Sequence, residues 1–244
     1  MGPRVVIAPG SPTCTVCSVP ARGAMASDMR GGLSCATHTT FTACAFCGCR
    51  RRSASAGWTD LGRPGLLRCE LCAEDAVDHQ DQVRVALRAV RRSLSRRGFV
   101  LPKPTRVLLV PAATLPQPDR QHALGATIVG YPGAAAGEVE AIHVVAGLPT
   151  VYFHRVVAHE FGHVWLAQRR AGALPHRLQE GLSELIAYAA LRDVGAPFGP
   201  ALRKQISLNP DAAYGGGFRQ VRDAVRRHGL EPVLRSLVRE GTLP

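Results

Sequence analysis

The stretch VVAHEFGHVWLAQRRAGALPHRLQEGLSEL, running from Val156 to Leu185, decides how this chain is read. His159 and His163 stand one helical turn apart, so on a helix both imidazoles leave the same face and can meet one metal ion. Glu160, directly after the first histidine, can reach a water on that ion. Ala158, Phe161, Gly162 and Val164 are uncharged, as a half-buried helix requires. A five-residue H-E-x-x-H arises by chance in many chains, so the weight falls on the residues C-terminal to it. Glu180 comes 17 positions after His163, and a turn near Gly172–Pro175 would fold the second helical stretch back across the first. Glu184, one turn further on, competes with Glu180 for the ligand place or supports a histidine from behind. Two histidines and one carboxylate leave a fourth position open, the arrangement of a catalytic rather than a structural zinc site.

Working outward, Pro149 can open the motif helix and Gly172 can close it. Upstream, Val83, Leu87, Val90 and Leu94 repeat at helical spacing among arginines, with Gly98 as a stop. Thr105–Ala112, Ala126–Tyr131 and Glu140–Gly147 read as strands separated by Pro and Gly turns. Helices are predicted over Leu178–Asp193, Phe218–His228 and Glu231–Glu240. This order predicts an α+β unit over 80–244, with a small mixed sheet and the H-E-x-x-H helix. Strand Glu140–Gly147 is expected to run along the cleft, where an extended substrate would add as a further strand, with His143 a core or rim residue rather than a ligand.

All eight cysteines are crowded between Cys14 and Cys72. Cys14, Cys17, Cys35 and His38, then Cys44, Cys47, Cys69 and Cys72, form four pairs with two residues inside each pair, which is two complete tetrahedral zinc sites. A two-residue gap lets one tight turn aim both side chains at one ion, and Gly48 suits such a turn. A module over 13–76, after a short tail over 1–12, can fold on metal binding alone. Cys49 is left over as a free thiol, with replacement of Cys47 as the alternative. Disulfides are disfavoured in a chain read as intracellular. The paired arrangement resembles a LIM domain, although Cys35 precedes His38 here and five residues separate the two sites. Closed coordination gives these sites no catalysis and implies docking or binding of a protein partner.

The formal charge is +12, yet lysine occurs only at Lys103 and Lys204, the other 28 basic residues being arginine. Arginine spread over solvated faces, in a chain rich in Ala and Gly, sets nucleic acid aside as the partner; Arg50–Ser53 and Arg88–Arg97 are the best basic patches against that reading. No apolar run approaches a membrane span, and Arg4–Gly10 is too short for a signal-peptide core, so a soluble cytoplasmic protein without a membrane partner is expected.

Several spaced motifs then match together: AIHVVAGLP, VVAHEFGHVWL, the Glu-Gly pair of LQEGLSELIAYAAL, YGGGFRQVRDAVRRHGL and the final GTLP. In these the chain resembles the DA-one family, LIM-containing zinc metallopeptidases that regulate organ and seed size in plants. The Arg-rich composition suggests a bacterial relative. The resemblance implies a zincin domain of the gluzincin type, with His159, His163 and Glu180 holding a catalytic zinc, Glu160 as the catalytic glutamate, and Tyr214 donating to the developing oxyanion. It implies three zinc ions in all, one catalytic and two structural, and hydrolysis of peptide bonds in protein substrates. Gln179 stands where plant members carry a second acid, so ubiquitin-linked activation is not carried over. The rival reading is a non-enzymatic zinc adaptor in which the peptidase-like domain serves as a scaffold.

Overall fold

The computed structural model describes residues 12–20, 25–51, 57–115, 123–129, 138–169, 171, 174–193 and 198–244. The chain divides into two units, Met1–Glu74 and Asp75–Pro244.

In the first unit regular structure is scarce. Three antiparallel hairpins each have two residues per strand: β1 (Ala26–Ser27) with β2 (Leu33–Ser34), β3 (Thr42–Ala43) with β4 (Arg50–Arg51), and β5 (Thr59–Asp60) with β6 (Leu67–Arg68). A single 3-10 turn, Ala36–His38, and a four-residue helix, α1 (Glu70–Ala73), follow Cys35 and Cys69. The buried apolar side chains described here are six cysteines together with Phe46 and Leu66. So little apolar surface offsets only part of the ordering entropy of this many residues, and the cysteine groups that could hold metal ions stand where a larger core would.

The second unit opens with β7 (Ala76–Val77) and α2 (Gln80–Ser95), which buries Val83, Ala86, Leu87, Val90 and Leu94 on one face. Gly98 adopts φ +79°, and this left-handed residue lets the Phe99 N–H reach the Leu94 carbonyl at 3.0 Å, closing the helix. Three strands form one mixed sheet: β8 (Arg106–Val110), β9 (Gly125–Val129) and β10 (Val139–Val145), in the order β8-β10-β9. β10 is parallel to β8 and antiparallel to β9.

This order corrects one expectation. The strand expected to accept a substrate is the middle strand, with partners on both sides, so it has no free edge to offer. On the outer side of β8, the Gln80 side chain donates to the Val107 carbonyl at 2.8 Å and accepts from the Leu109 N–H at 2.9 Å. That amide imitates a neighbouring strand and caps the edge. β9 is the remaining edge; among the described residues it pairs only with β10.

β11 (Leu148–Pro149) pairs with β7 and leads into α3 (Thr150–Gln168). Thirteen of the 19 residues of α3 are buried, so it is the central helix of the unit. It ends at Gln168, whose side chain bonds both the N–H and the carbonyl of Lys103 at 3.0 Å; the expected stop at Gly172 lies outside the described residues, as do Gly130, Tyr131 and part of the Arg50–Ser53 patch. α4 (His176–Asp193) crosses α3, and α5 (Gly199–Leu208), which the sequence pattern did not predict, buries Leu202 and Ile206 one turn apart. A π-helical turn, Ala212–Gly216, runs into α6 (Gly217–His228). Gly229, at φ +83°, separates α6 from α7 (Leu230–Arg239). No described helix is long and apolar enough to cross a membrane.

Candidate metal centres

In the second unit, the spacing of His159 and His163 on α3 does what the helical repeat requires. Their Nε2 atoms come within 3.1 Å of each other. Glu180, one turn into α4, points Oε2 between them, at 3.2 Å from His159 Nε2 and 3.6 Å from His163 Nε2. Nitrogen and oxygen ligands about 2.1 Å from a tetrahedral zinc lie about 3.4 Å apart, so this triangle has the dimensions of three corners of such a site. Glu180 Oε2 is buried and has no hydrogen-bond partner. A buried, ionised oxygen without a donor is costly, and a cation in the triangle relieves that cost. The residues therefore fit zinc.

Glycines bring these groups together. A methyl at Gly162, between the two histidines, would stand 2.7 Å from the Ser183 Cα, so only glycine lets α4 approach α3 at this crossing. Gly181 and Gly217 face each other backbone to backbone; a side chain at Gly181 would strike the carbonyl of Gly217, and one at Gly217 would strike that of Arg177. The Glu-Gly pair of the sequence thus joins a ligand to the residue that lets α6 approach it.

The electrostatics agree with a cation site. Burial lowers the pKa of His159, but the carboxylates of Glu180 and Glu184 outweigh it and raise the value to about 10. Burial likewise raises the carboxyl pKa of Glu180, and the imidazoles of His159 and His163 facing it outweigh that, holding the group well below the usual carboxylate range.

Glu184 faces the opposite nitrogen, with Oε1 3.4 Å from His159 Nδ1 and 3.9 Å from Arg155. The two carboxylates that the sequence left in competition therefore occupy different places, Glu180 inside the triangle and Glu184 behind the imidazole. Glu160 stands beside the triangle, 7% exposed, with Oε2 accepting a hydrogen bond from Thr127 Oγ1 at 2.7 Å. It opens on a cavity of about 410 Å³ walled also by His163, Val129, Leu166 and Leu174.

Tyr214 lies in the π-helical turn, its ring stacked over that of His159 at 6.0 Å between centroids and 16° between planes. The turn is held by the Asp211 carboxylate, which accepts from the N–H groups of Ala213 and Tyr214 at 2.9 Å, and by Arg219, which donates to the Asn209 carbonyl at 2.9 Å. His176 joins the group without having been expected from the sequence. It places Nε2 3.2 Å from Glu180 Oε1 and its ring edge-on to Tyr214. Its position one turn before Glu180 was the available signal. His143 is half-buried on β10 and belongs to none of the three groups that could hold a metal.

In the first unit, the ligand atoms of Cys14, Cys17, Cys35 and His38 gather within 4.8 Å of one another, and so do those of Cys44, Cys47, Cys69 and Cys72. Cys47 and Cys69 place their sulfurs 3.7 Å apart, close to the roughly 3.8 Å of two thiolates on one tetrahedral zinc. The two groups are built alike: the Cys35 N–H points at Cys14 Sγ, and the Cys69 N–H at Cys44 Sγ, each at 3.4 Å. Gly48, at φ +78°, turns the chain so that the Cys44 N–H reaches the Cys49 carbonyl at 2.8 Å. None of the eight cysteines is in a disulfide, and Cys49 is in neither group.

A family model described as DA1-like: Protein DA1 matches residues 90–199. Over these residues the chain is similar to that family. The DA1-like region takes in His159, Glu160, His163, Glu180 and Glu184, and stops short of both the cysteines and Tyr214. Among curated proteins, the chain is similar to Protein DA1-related 1 of Arabidopsis thaliana, 28% identical over 138 residues, 44% of this chain and 25% of that protein. Protein DA1-related 2 and Protein DA1 of the same plant are each 26% identical over 44% of this chain, covering 27% and 25% of their own lengths. The chain thus spans about a quarter of the length of these relatives. No solved structure matches it significantly.

Proposed function

We propose that the second unit is a zincin-type metallopeptidase that hydrolyses peptide bonds in protein substrates, and that the first is a LIM-like module carrying two structural zinc ions for docking or regulation. The observation that carries this reading is the triangle of His159, His163 and Glu180 with Glu160 beside it at the wall of a cavity. His159, His163 and Glu180 would hold the catalytic zinc. When bound, zinc supplies Lewis acidity toward the scissile carbonyl and lowers the pKa of the attacking water.

The side chains do the rest. Glu160 takes the proton from the attacking water and delivers it to the leaving amine. Tyr214, over the His159 ring, directs its phenol toward the carbonyl oxygen as negative charge develops there. Glu184 fixes the tautomer of His159 by accepting from Nδ1. β9, not β10, offers its free edge to an extended substrate, with Thr127 and Val129 lining the cavity beside Glu160.

The test is elemental zinc analysis joined to peptide-library cleavage for wild type and Glu160→Gln. Three zinc ions in both proteins, with cleavage lowered about a hundredfold to ten-thousandfold in the variant, are expected. Zinc in the third site with no cleavage of any peptide by the wild type would leave the adaptor reading in its place.

A further inference from the structure

Glu160 is buried at 7% exposure, and a carboxylate in that position needs a donor to offset its lost hydration. The donor comes from a different element. Gly125 and Thr127, two residues apart on β9, present the same face of the strand toward α3. At Gly125 a methyl would collide with Val156 and come within 3.3 Å of both Cγ and Oε1 of Glu160, so the strand backbone lies directly against the helix here. That closeness brings Thr127 Oγ1 to 2.7 Å from Glu160 Oε2, the backbone carbonyl of Glu160 being the longer alternative at 3.4 Å. One carboxylate oxygen is held by a hydroxyl, and the other would be crowded, at 3.3 Å, by a methyl at position 125.

We propose that Thr127 is a positioning residue for the Glu160 carboxylate, with Gly125 permitting the close approach of β9 to α3 that brings the two together. The inference rests on the reading of Glu160 as the general base. A glutamate has three rotatable bonds, and proton transfer tolerates errors of only about half an ångström in where the carboxylate stands. A hydrogen bond from the rigid edge strand removes that freedom. It sets the carboxylate in place before substrate arrives, so its loss falls on the chemical step rather than on substrate binding.

The experiment uses the zinc-loaded full chain and compares Thr127→Val, nearly isosteric but without the hydroxyl, with Thr127→Ser, which keeps it. Thr127→Val is expected to lower kcat about tenfold to a hundredfold with KM and zinc content unchanged, and Thr127→Ser to restore most of the rate. In the Glu160→Gln background, Thr127→Val is expected to change the residual rate no further. Thermal unfolding of Thr127→Val, Glu160→Ala and the double variant supplies a readout independent of turnover: a hydrogen bond between the two makes the effects non-additive. Wild-type kcat in Thr127→Val, a Thr127→Ser as slow as Thr127→Val, or strictly additive unfolding temperatures would each overturn the proposal. If Glu160→Gln turns over like wild type, it is the role of Glu160 as base that fails, and the unfolding cycle still decides whether Thr127 holds its carboxylate.

Discussion

Among the described residues, the first unit buries six cysteines, Phe46 and Leu66 as its apolar side chains and its longest helix has four residues, whereas the second fully buries Ile142, Phe153, Leu182 and Phe218 around a central helix of 19 residues. Both gather metal-ligating side chains, but in opposite relation to the core. In the first, the ligands are most of what is buried, so whatever binds them is the core. In the second, His159, His163 and Glu180 stand beside a packed apolar interior built from other side chains. On the proposed reading, the same ligand chemistry is scaffold in one region and guest in the other, so metal is expected to govern stability in the first and reactivity in the second.

Chelation should separate the two regions most sharply. Removing zinc from the full chain is expected to unfold the first unit, where metal accounts for about 10 kcal/mol or more in comparable modules, and to leave the second folded. Limited proteolysis with mass spectrometry checks this: cuts within 12–74 and a surviving fragment covering 75–244. Survival of the first unit without metal would break the comparison.

Next in size is the close approach of α4 and α6. Gly217→Ala drives a methyl into the Arg177 carbonyl and is expected to cost about 1–3 kcal/mol in denaturant unfolding of the second unit, with zinc in the first unit unaffected. Smaller is the effect of Glu184→Gln, which keeps an acceptor behind His159 but removes its charge. Chelator competition is expected to show the third zinc bound about tenfold to a hundredfold more weakly, while the two cysteine sites keep their affinity.

Smallest is the ion pair of Asp193 with Arg97 and Arg96, with Arg97 Nη2 2.7 Å and Arg96 Nη2 2.8 Å from the carboxylate. The Arg97 bonds hold the Asp193 carboxyl below its usual range, against some burial that raises it. A depressed folded-state pKa stabilises above the unfolded value of about 3.9 and loses that contribution as pH falls through the folded one. Because the pair is near the surface, Asp193→Asn is expected to cost less than about 1 kcal/mol at neutral pH, with the difference from wild type shrinking in acid.

Much of this was legible in the residues because it is local. Helical spacing fixes that His159 and His163 share a face, two-residue gaps fix that each cysteine pair can meet one ion, and alternating apolar runs with Pro and Gly between them mark three strands. What was illegible depends on residues far apart in the chain. Neither Glu180 nor Glu184 carries a local mark of its role, since one turn of helix separates them and either faces α3; the crossing at Gly162 and Ser183 assigns them to opposite nitrogens of His159. Strand order is hidden because the apolar run of β10 reads as a strand at the cleft, whereas β10 is the most buried of the three and takes the central place with neighbours on both sides. Thr127 had no signal, being one threonine in a short strand, and α5 is too short and too weakly patterned to stand out.

The sequence by itself determined the ligand types, their grouping into three sets and the helix that carries the histidines, because these depend on chain periodicity over a few residues. Only the tertiary structure showed where each carboxylate stands around His159, which strand borders the cleft, and that Thr127 and His176 join Tyr214 around the same few atoms. Those are contacts between elements, set by how closely glycines at 125, 162, 181 and 217 let one backbone approach another.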